Sequence, residues 1–416
     1  MDKQSKLKFA AINRYDSSMR ESIFERKQDF YIKFGEYNSF PNELVRLFTH
    51  SSIHNTCVNA IVEAICGEGL TSDHPEILDH ANNEGESWQQ ILDKVALDYK
   101  LFGAFALEVI WSMDRTRIAE VYHMDYTFIR AKEKTLRGKI PGYYIWDEWG
   151  ERYNWNIQTN LADIPFLPVF NPFAKELEPK QLFVHSPYRP GQKYYALPDY
   201  IGAYKVIELD AEVDNFHINN IRNGLAPSLA ITTFTNANED EREAIEHMLR
   251  LQYQGTNNAG TLVYMDVDSP DNAPIITPIP QNGADEYYTQ INDLVTQKIL
   301  TAHRITSPMM LGIKTEGQLG GRDETIDAYL LFTNTVIKPF QQDILDAFHK
   351  ILELKEGTAE FSLGIQQTKL YSDGTEEVDV VTGTEAEVGE DSALESEIEV
   401  ADRINDPALE PTLTNQ

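Results

Sequence analysis

The feature that most constrains this chain is a pair of long helical segments, each with one narrow apolar seam, separated by an insert at 225–282. Pro198 suits the first turn of a helix, and from there Val206, Leu209, Val213 and Phe216 recur at steps of three, four and three, with Asn220 one step on. Asn223-Gly224 supplies the stop, and Pro227 follows soon after. The second segment, Asp285–Ile305, repeats the pattern with Tyr288, Ile291, Val295, Ile299 and Ala302. A helix of about 25 residues is a rod of roughly 38 Å. Outside the seams both segments are polar, so neither can lie deep inside a globule.

The insert between them reads as a compact mixed unit. It has a strand at Ser228–Thr233 and a helix capped at Asn238, with Glu239, Asp240 and Glu241 in the first turn, where the helix dipole favours acids. Ile245, Met248, Leu249 and Tyr253 would be that helix's buried face, and two strands follow, Gly260–Met265 and Ile275–Ile279.

The N-terminal third reads as α/β. Helical periodicity covers Asn42–Phe48 and Ser52–Ile65, and Gly67 and Gly69 end it. Ser87–Phe102 is a further helix with Trp88, Ile91, Leu92, Val95 and Tyr99 on one face and Gly103 as its stop. Ala104–Trp111 and Arg117–His123 flank the polar stretch Ser112–Thr116 and predict a hairpin. Phe128–Arg130, Tyr143–Trp146, Arg152–Trp155 and Leu182–His185 are the further strands, the middle two joined through Gly150. The last helix starts at an Asp323 cap and carries Ile326, Leu330, Ile337, Phe340, Ile344, Phe348 and Ile351 on its apolar side. Pro339 lies inside it. An interior proline removes one hydrogen bond and clashes with the carbonyl four residues back, at Thr335, at a cost of about 3 kcal/mol. The spacing therefore predicts a kink.

Charge narrows the function. The chain of 416 residues carries a formal charge of −30. Tight DNA binders set Lys and Arg against phosphates, so a gripping surface over most of this molecule is excluded. Residues 372–416 hold fourteen acidic residues, one basic residue and no aromatic one. Such a composition predicts a solvated tail, with a short helix over Ser392–Ile404 as the alternative. Cys57 and Cys66 read as small apolar residues in a reducing compartment. The longest apolar stretches, Val58–Ile65 and Ala104–Trp111, are broken by Glu63 and Glu108, so no spanning helix is expected. MDKQSKLKFA has basic residues with no apolar run behind them and does not read as a signal peptide.

Motifs for chemistry fail one by one. Gly312–Gly317 has phosphate-loop spacing, but Gln318-Leu319 stands where Lys-Ser/Thr is required. Gly67-Glu68-Gly69 lacks a third glycine and follows a helix. His50 and His54 are four apart, as zinc ligands on a helix would be, but no glutamate base or third ligand accompanies them. There is no GxSxG elbow. Lys314, Gln318 and Arg322 around Gly317, Gly320 and Gly321 leave two readings open, a plain surface loop or a mobile loop offering basic groups to a polyanion.

Four stretches in order resemble the portal proteins of tailed bacteriophages, over roughly residues 40–352. They are FTHSSIHNTCVNAIVEAICGEGL (48–70), LFVHSPYRPGQKYYALPDYIGAYKVIELD (182–210), NNIRNGLAPSLAIT (219–232) and KILTAHRITSPMMLGIKTEGQLGGRDETIDAYLLFTNTVIKPFQQDIL (298–345). The resemblance implies an α+β portal fold: an α/β wing, a two-helix stem, a mixed α/β clip and a long kinked tunnel helix. It divides the chain into an N-terminal arm (1–39), wing (40–197), first stem helix (198–224), clip (225–282) and second stem helix (283–305). Wing returns at 306–353, with a tunnel loop at 312–323 and tunnel helix at 324–351, before a short crown and partly disordered acidic tail (354–416). It implies Lys314, Gln318 and Arg322 facing DNA, hinges at Gly312, Gly317, Gly320 and Gly321, and a kink at Pro339.

The resemblance further implies a structural, non-enzymatic subunit of a twelve-membered ring at the portal vertex of a virion, assembled in the host cytoplasm. Double-stranded DNA would pass through the bore. Terminase large subunit, head–tail adaptor, major capsid and scaffolding protein would be partners, with no membrane, cofactor or metal. An acidic channel suits this role, because each tight phosphate contact would be a barrier to sliding. The rival readings are a non-phage oligomeric scaffold or adaptor and an uncommon metal-dependent hydrolase.

Overall fold

The computed structural model describes residues 25–28, 30–35, 37–149, 164–173, 178–223, 229–233, 262–266, 284–305, 307–311, 322–357, 361–368, 370–371 and 377–378. The expected strands Arg152–Trp155 and Ile275–Ile279, the insert helix from Asn238, and Ser392–Ile404 lie outside them. The chain divides into two units, 1–368 and 369–416.

The first unit opens with an antiparallel hairpin, β1 (Glu25–Gln28) and β2 (Tyr31–Phe34), within the stretch assigned to an arm; Ile32 and Phe34 are core residues. Helices α1 (Phe40–His50) and α2 (Ser52–Cys66) follow, divided by Ser51, whose hydroxyl accepts from the His54 amide and caps α2. β3 (Gly69–Ser72) precedes α3 (Trp88–Phe102). The sequence Ser87-x-x-Gln90 builds a reciprocal capping box at the start of α3. Gly103 ends α3 in the left-handed conformation, its amide bonded to the Tyr99 carbonyl.

β4 (Phe105–Trp111) is the centre of an antiparallel sheet. It pairs with β5 (Ile118–Met124) on one side, forming the hairpin expected across Ser112–Thr116. A second sheet holds β6 (Ile129–Ala131), β7 (Gly142–Ile145) and β8 (Phe166–Pro168) in that order. β9 (Lys180–His185) returns to the other edge of β4, Phe105 opposite His185.

The first of the two seam-bearing segments departs from expectation at its start. Pro198 opens a turn, a 3₁₀ turn spans Ile201–Ala203, and α4 runs Tyr204–Asn223. Tyr200 points into the core instead of beginning the helix. The strands β10 (Leu229–Thr233) and β11 (Leu262–Asp266) pair in parallel inside the insert. α5 (Ala284–Ala302) packs on α4 and ends three residues short of Ile305, where Arg304 takes φ 57°.

After α6 (Arg322–Phe332) comes a π-helical turn, Thr333–Ile337, and then α7 (Lys338–Glu356). β12 (Leu363–Gln366) pairs antiparallel with β3, nearly three hundred residues earlier. The main core cluster joins α2, α3, β4 and α7, and a second, small cluster holds Tyr31, Trp149 and Ile164. In the main cluster the Trp88 ring meets Phe348 edge to face at 5.0 Å, both fully buried. Each such side chain contributes on the order of 1.5–3 kcal/mol.

The second unit shows a short antiparallel ladder, β13 (Leu370–Tyr371) with β14 (Glu377–Val378). No described helix is long and apolar enough to cross a membrane.

Candidate functional site

Of the residues nominated from sequence, Gly312, Lys314, Gln318 and Gly317, Gly320 and Gly321 lie outside the described residues. Arg322 opens α6, and Asp323, the expected cap, is already helical. His50 and His54 do not converge: His50 Nδ1 lies 2.8 Å from the Arg46 carbonyl at the surface, while His54 turns inward. Among the described residues no group of three or more His, Cys, Asp or Glu could hold a metal ion. Both cysteines are free and buried, and burial pushes each thiol up to about 12.

Pro339 is the second residue of α7, where a missing amide costs least. The strain of an interior proline is displaced into the preceding π turn, in which the Lys338 amide reaches back five residues to the Thr333 carbonyl. The Thr333 hydroxyl is buried there with no hydrogen-bond partner among the described residues. Beyond the turn, α7 is pinned from two sides. The Tyr99 hydroxyl donates to Asp343 Oδ2 at 2.5 Å, and Gln341 Nε2 donates to the Ile65 carbonyl at 2.9 Å, closing the C-terminal end of α2.

One buried polar cluster was not signalled by any motif. It lies where α4 and α5 meet α2 and α3. Lys100 is completely buried and donates to both oxygens of Asp199 at 2.8 and 3.0 Å. Arg304 Nη2 approaches Asp199 Oδ2 at 3.5 Å from the outside. Beside them His54 Nδ1 and His303 Nε2 are 2.9 Å apart, both rings packed against Tyr200. Burial, with the Lys100 charge adding to it, lowers His54 to about 3; burial and Lys100 also carry His303 well down. Both imidazoles are therefore neutral. Burial lowers Lys100 as well, and Asp199 opposes that shift. Ser51 donates to Asp210 Oδ2 at 2.6 Å, tying α4 to the α1–α2 corner. From sequence, Lys100 was one polar residue beside Tyr99 in a helix end, and Asp199 and His303 carried no signal at all.

The buried face of α4 also differs from the seam read in the sequence. In α4 the side turned to the protein's own core is Ile207, Asp210 and Ala211, at its foot, continuing Ala203 of the preceding 3₁₀ turn. Leu209, a seam residue, is exposed, as are Ile218 and, on α5, Leu294. On α5 the seam faces inward as read, through Val295 and Ile299. Apolar side chains are thus left on the outside of both rods.

No family model matches the chain. A probable portal protein of Haemophilus phage HP1 (strain HP1c1) is 24% identical over 169 residues, 40% of this chain and 48% of that relative. The matched part spans about half the length of the relative. Among solved structures, a chain of the virion of a native gene transfer agent particle aligns with TM-score 0.52 and 14% identity, over 78% of this chain and 83% of that one. A chain of the neck of the native particle, computed with C12 symmetry, aligns with TM-score 0.50 and 14% identity, over 78% and 84%. The α+β fold class and the likeness to phage portal proteins read from the sequence both stand.

Proposed function

We propose that this chain is a portal subunit, a structural and non-enzymatic protein that closes into a ring at one vertex of a tailed-phage capsid. Genome DNA would enter and leave through the bore. The observation that carries the reading is the stem: two adjacent rods, α4 and α5, with Leu209, Ile218 and Leu294 exposed on their outer sides. A neighbouring copy set against each rod would cover these residues, and repetition of one such contact closes a ring. The fold shared with the gene transfer agent neck chain and the sequence shared with the HP1 protein support the same reading.

On this reading the wing is 40–197 and 306–353, the clip 225–282, and the tunnel loop 312–323. Lys314, Gln318 and Arg322 face DNA, and Gly312, Gly317, Gly320 and Gly321 let the loop move. The ring holds twelve copies, and its partners are terminase large subunit, head–tail adaptor, capsid and scaffolding protein. Transport energy comes from the terminase.

The test is the mass of the purified protein in solution with images of the same sample. Twelve copies of 47.5 kDa make a particle of about 570 kDa with a central hole. A stable dimer or tetramer without a channel, persisting in the presence of capsid and scaffold, would overturn the reading.

A further inference from the structure

Three unfavourable features meet where the stem joins the body. Arg304 holds φ 57° directly after α5, a conformation that L residues other than Asn and Asp seldom adopt. His54 Nε2 and His303 Nδ1 are buried with no hydrogen-bond partner among the described residues. Whichever ring donates the shared proton, one N–H and one lone pair remain unpaired, and each unpaired group is unfavourable. Lys100 is an ammonium with no solvent exposure. Well-packed apolar side chains in place of such buried charges are often neutral or stabilising. Strain gathered at one point persists only where the surroundings over-determine it, and it gathers at places that change state.

The charges at this point have a definite order. Asp199 lies ahead of the 3₁₀ turn that leads into α4, and Arg304 lies two residues after α5, so one carboxylate sits near the foot of both rods. Its inner side is taken by Lys100 of α3, sealed from water. Its outer side meets Arg304, whose side chain is 52% exposed against 21% for Asp199. Water and salt can therefore compete for the outer contact but not for the inner one.

We propose that Lys100, Asp199 and Arg304 form a releasable latch at the foot of the stem: closed, it clamps α4 and α5 to α3, and open, it lets the two rods move together while the α/β core stays folded. The latch stands on the geometry of the joint and does not depend on the portal reading. Opening begins at the exposed Arg304 contact and is completed when Asp199 leaves Lys100. The neutral imidazole pair and the Tyr200 ring form the surface on which the rods turn.

Amide hydrogen exchange on the full chain tests this, comparing species of equal mass so that ring closure does not enter. Asp199→Asn is expected to speed exchange at least tenfold in both Tyr204–Asn223 and Ala284–Ala302, with α3, β4 and β5 unchanged. Arg304→Ala is expected to shift the same two helices by a smaller factor. If Asp199→Asn fails to fold, the paired variant Lys100→Met/Asp199→Asn, which leaves no buried charge alone, carries the test with the same expected stem exchange. Wild-type protection of the stem in these variants, faster exchange in only one rod, or an equal rise throughout the core would each overturn the latch.

Discussion

His54 and His303, 249 residues apart in the chain, share a 2.9 Å contact between Nδ1 and Nε2 that joins α2 to the residue following α5. The contact needs at least one neutral ring as acceptor, because two imidazolium rings present donors alone. This dependence, and the packing around it, lead to measurable expectations.

Acid should loosen the joint. Both imidazoles are held below their ordinary value, so as pH falls below about 6.5 the unfolded chain binds protons that the folded chain refuses. Stability is fully present above that pH. It then falls by up to about 1.4 kcal/mol per pH unit per imidazole, until His54 itself protonates at about 3. Urea unfolding between pH 7.5 and 4.5 measures this. A His54→Leu/His303→Leu variant should show a shallower slope, and parallel slopes would remove the pair from the account.

Gly103→Ala should damage the same region from the α3 side. Gly103 has φ 75°, and a Cβ there would stand 2.4 Å from the Leu197 carbonyl oxygen and 2.6 Å from its carbon. Neither backbone atom can yield without moving the approach to α4. Gly85, at φ 83° with nothing within 4 Å, isolates the cost of the conformation alone. Gly85→Ala should cost about 1 kcal/mol and Gly103→Ala about 2–3 kcal/mol or more, read as unfolding midpoints.

The π turn before α7 gives two opposite-looking substitutions the same sign. Thr333→Val removes a buried hydroxyl that has no partner and should stabilise the fold by about 1 kcal/mol. Pro339→Ala returns the missing amide, lets the turn close into ordinary α-helix through the Thr335 carbonyl, and should also raise the melting temperature. If Pro339→Ala leaves the π turn in place, the turn is set by packing around Phe332 and Val336 and not by the proline.

Tyr99 and Asp343 should behave as a coupled pair. Tyr99→Phe leaves a half-exposed carboxylate that water can reach, so the loss should be about 1 kcal/mol. Asp343→Asn should cost a similar amount, and the double variant little more than either. Full additivity in a double-mutant cycle would mean that the 2.5 Å contact contributes nothing to holding α7.

On the portal reading, Lys314→Ala/Arg322→Ala should leave the mass of the ring unchanged and lower DNA packaging or retention. Normal packaging by that variant would remove the loop from the mechanism.

Local order was determined by the sequence alone. Ser87, Gln90 and Gly103 mark both ends of α3 because capping is a matter of neighbouring residues, and the short apolar run Phe105–Trp111, followed by a polar turn, reads as a strand from its own residues. The net charge of −30 and the helix–insert–helix plan were equally open to reading. The tertiary structure decided which side of each element faces inward. α4 presents Ile207 and Ala211 to the core and leaves Leu209 outside, because the inward side depends on what crosses it and not on its own periodicity. It also decided that β3 pairs with β12, and that Lys100, Asp199, His54 and His303 meet. A buried charge is tolerated only when it is paired, and the partner of Lys100 arrives from 99 residues away, so this pairing is a property of the assembled core and has no local signature.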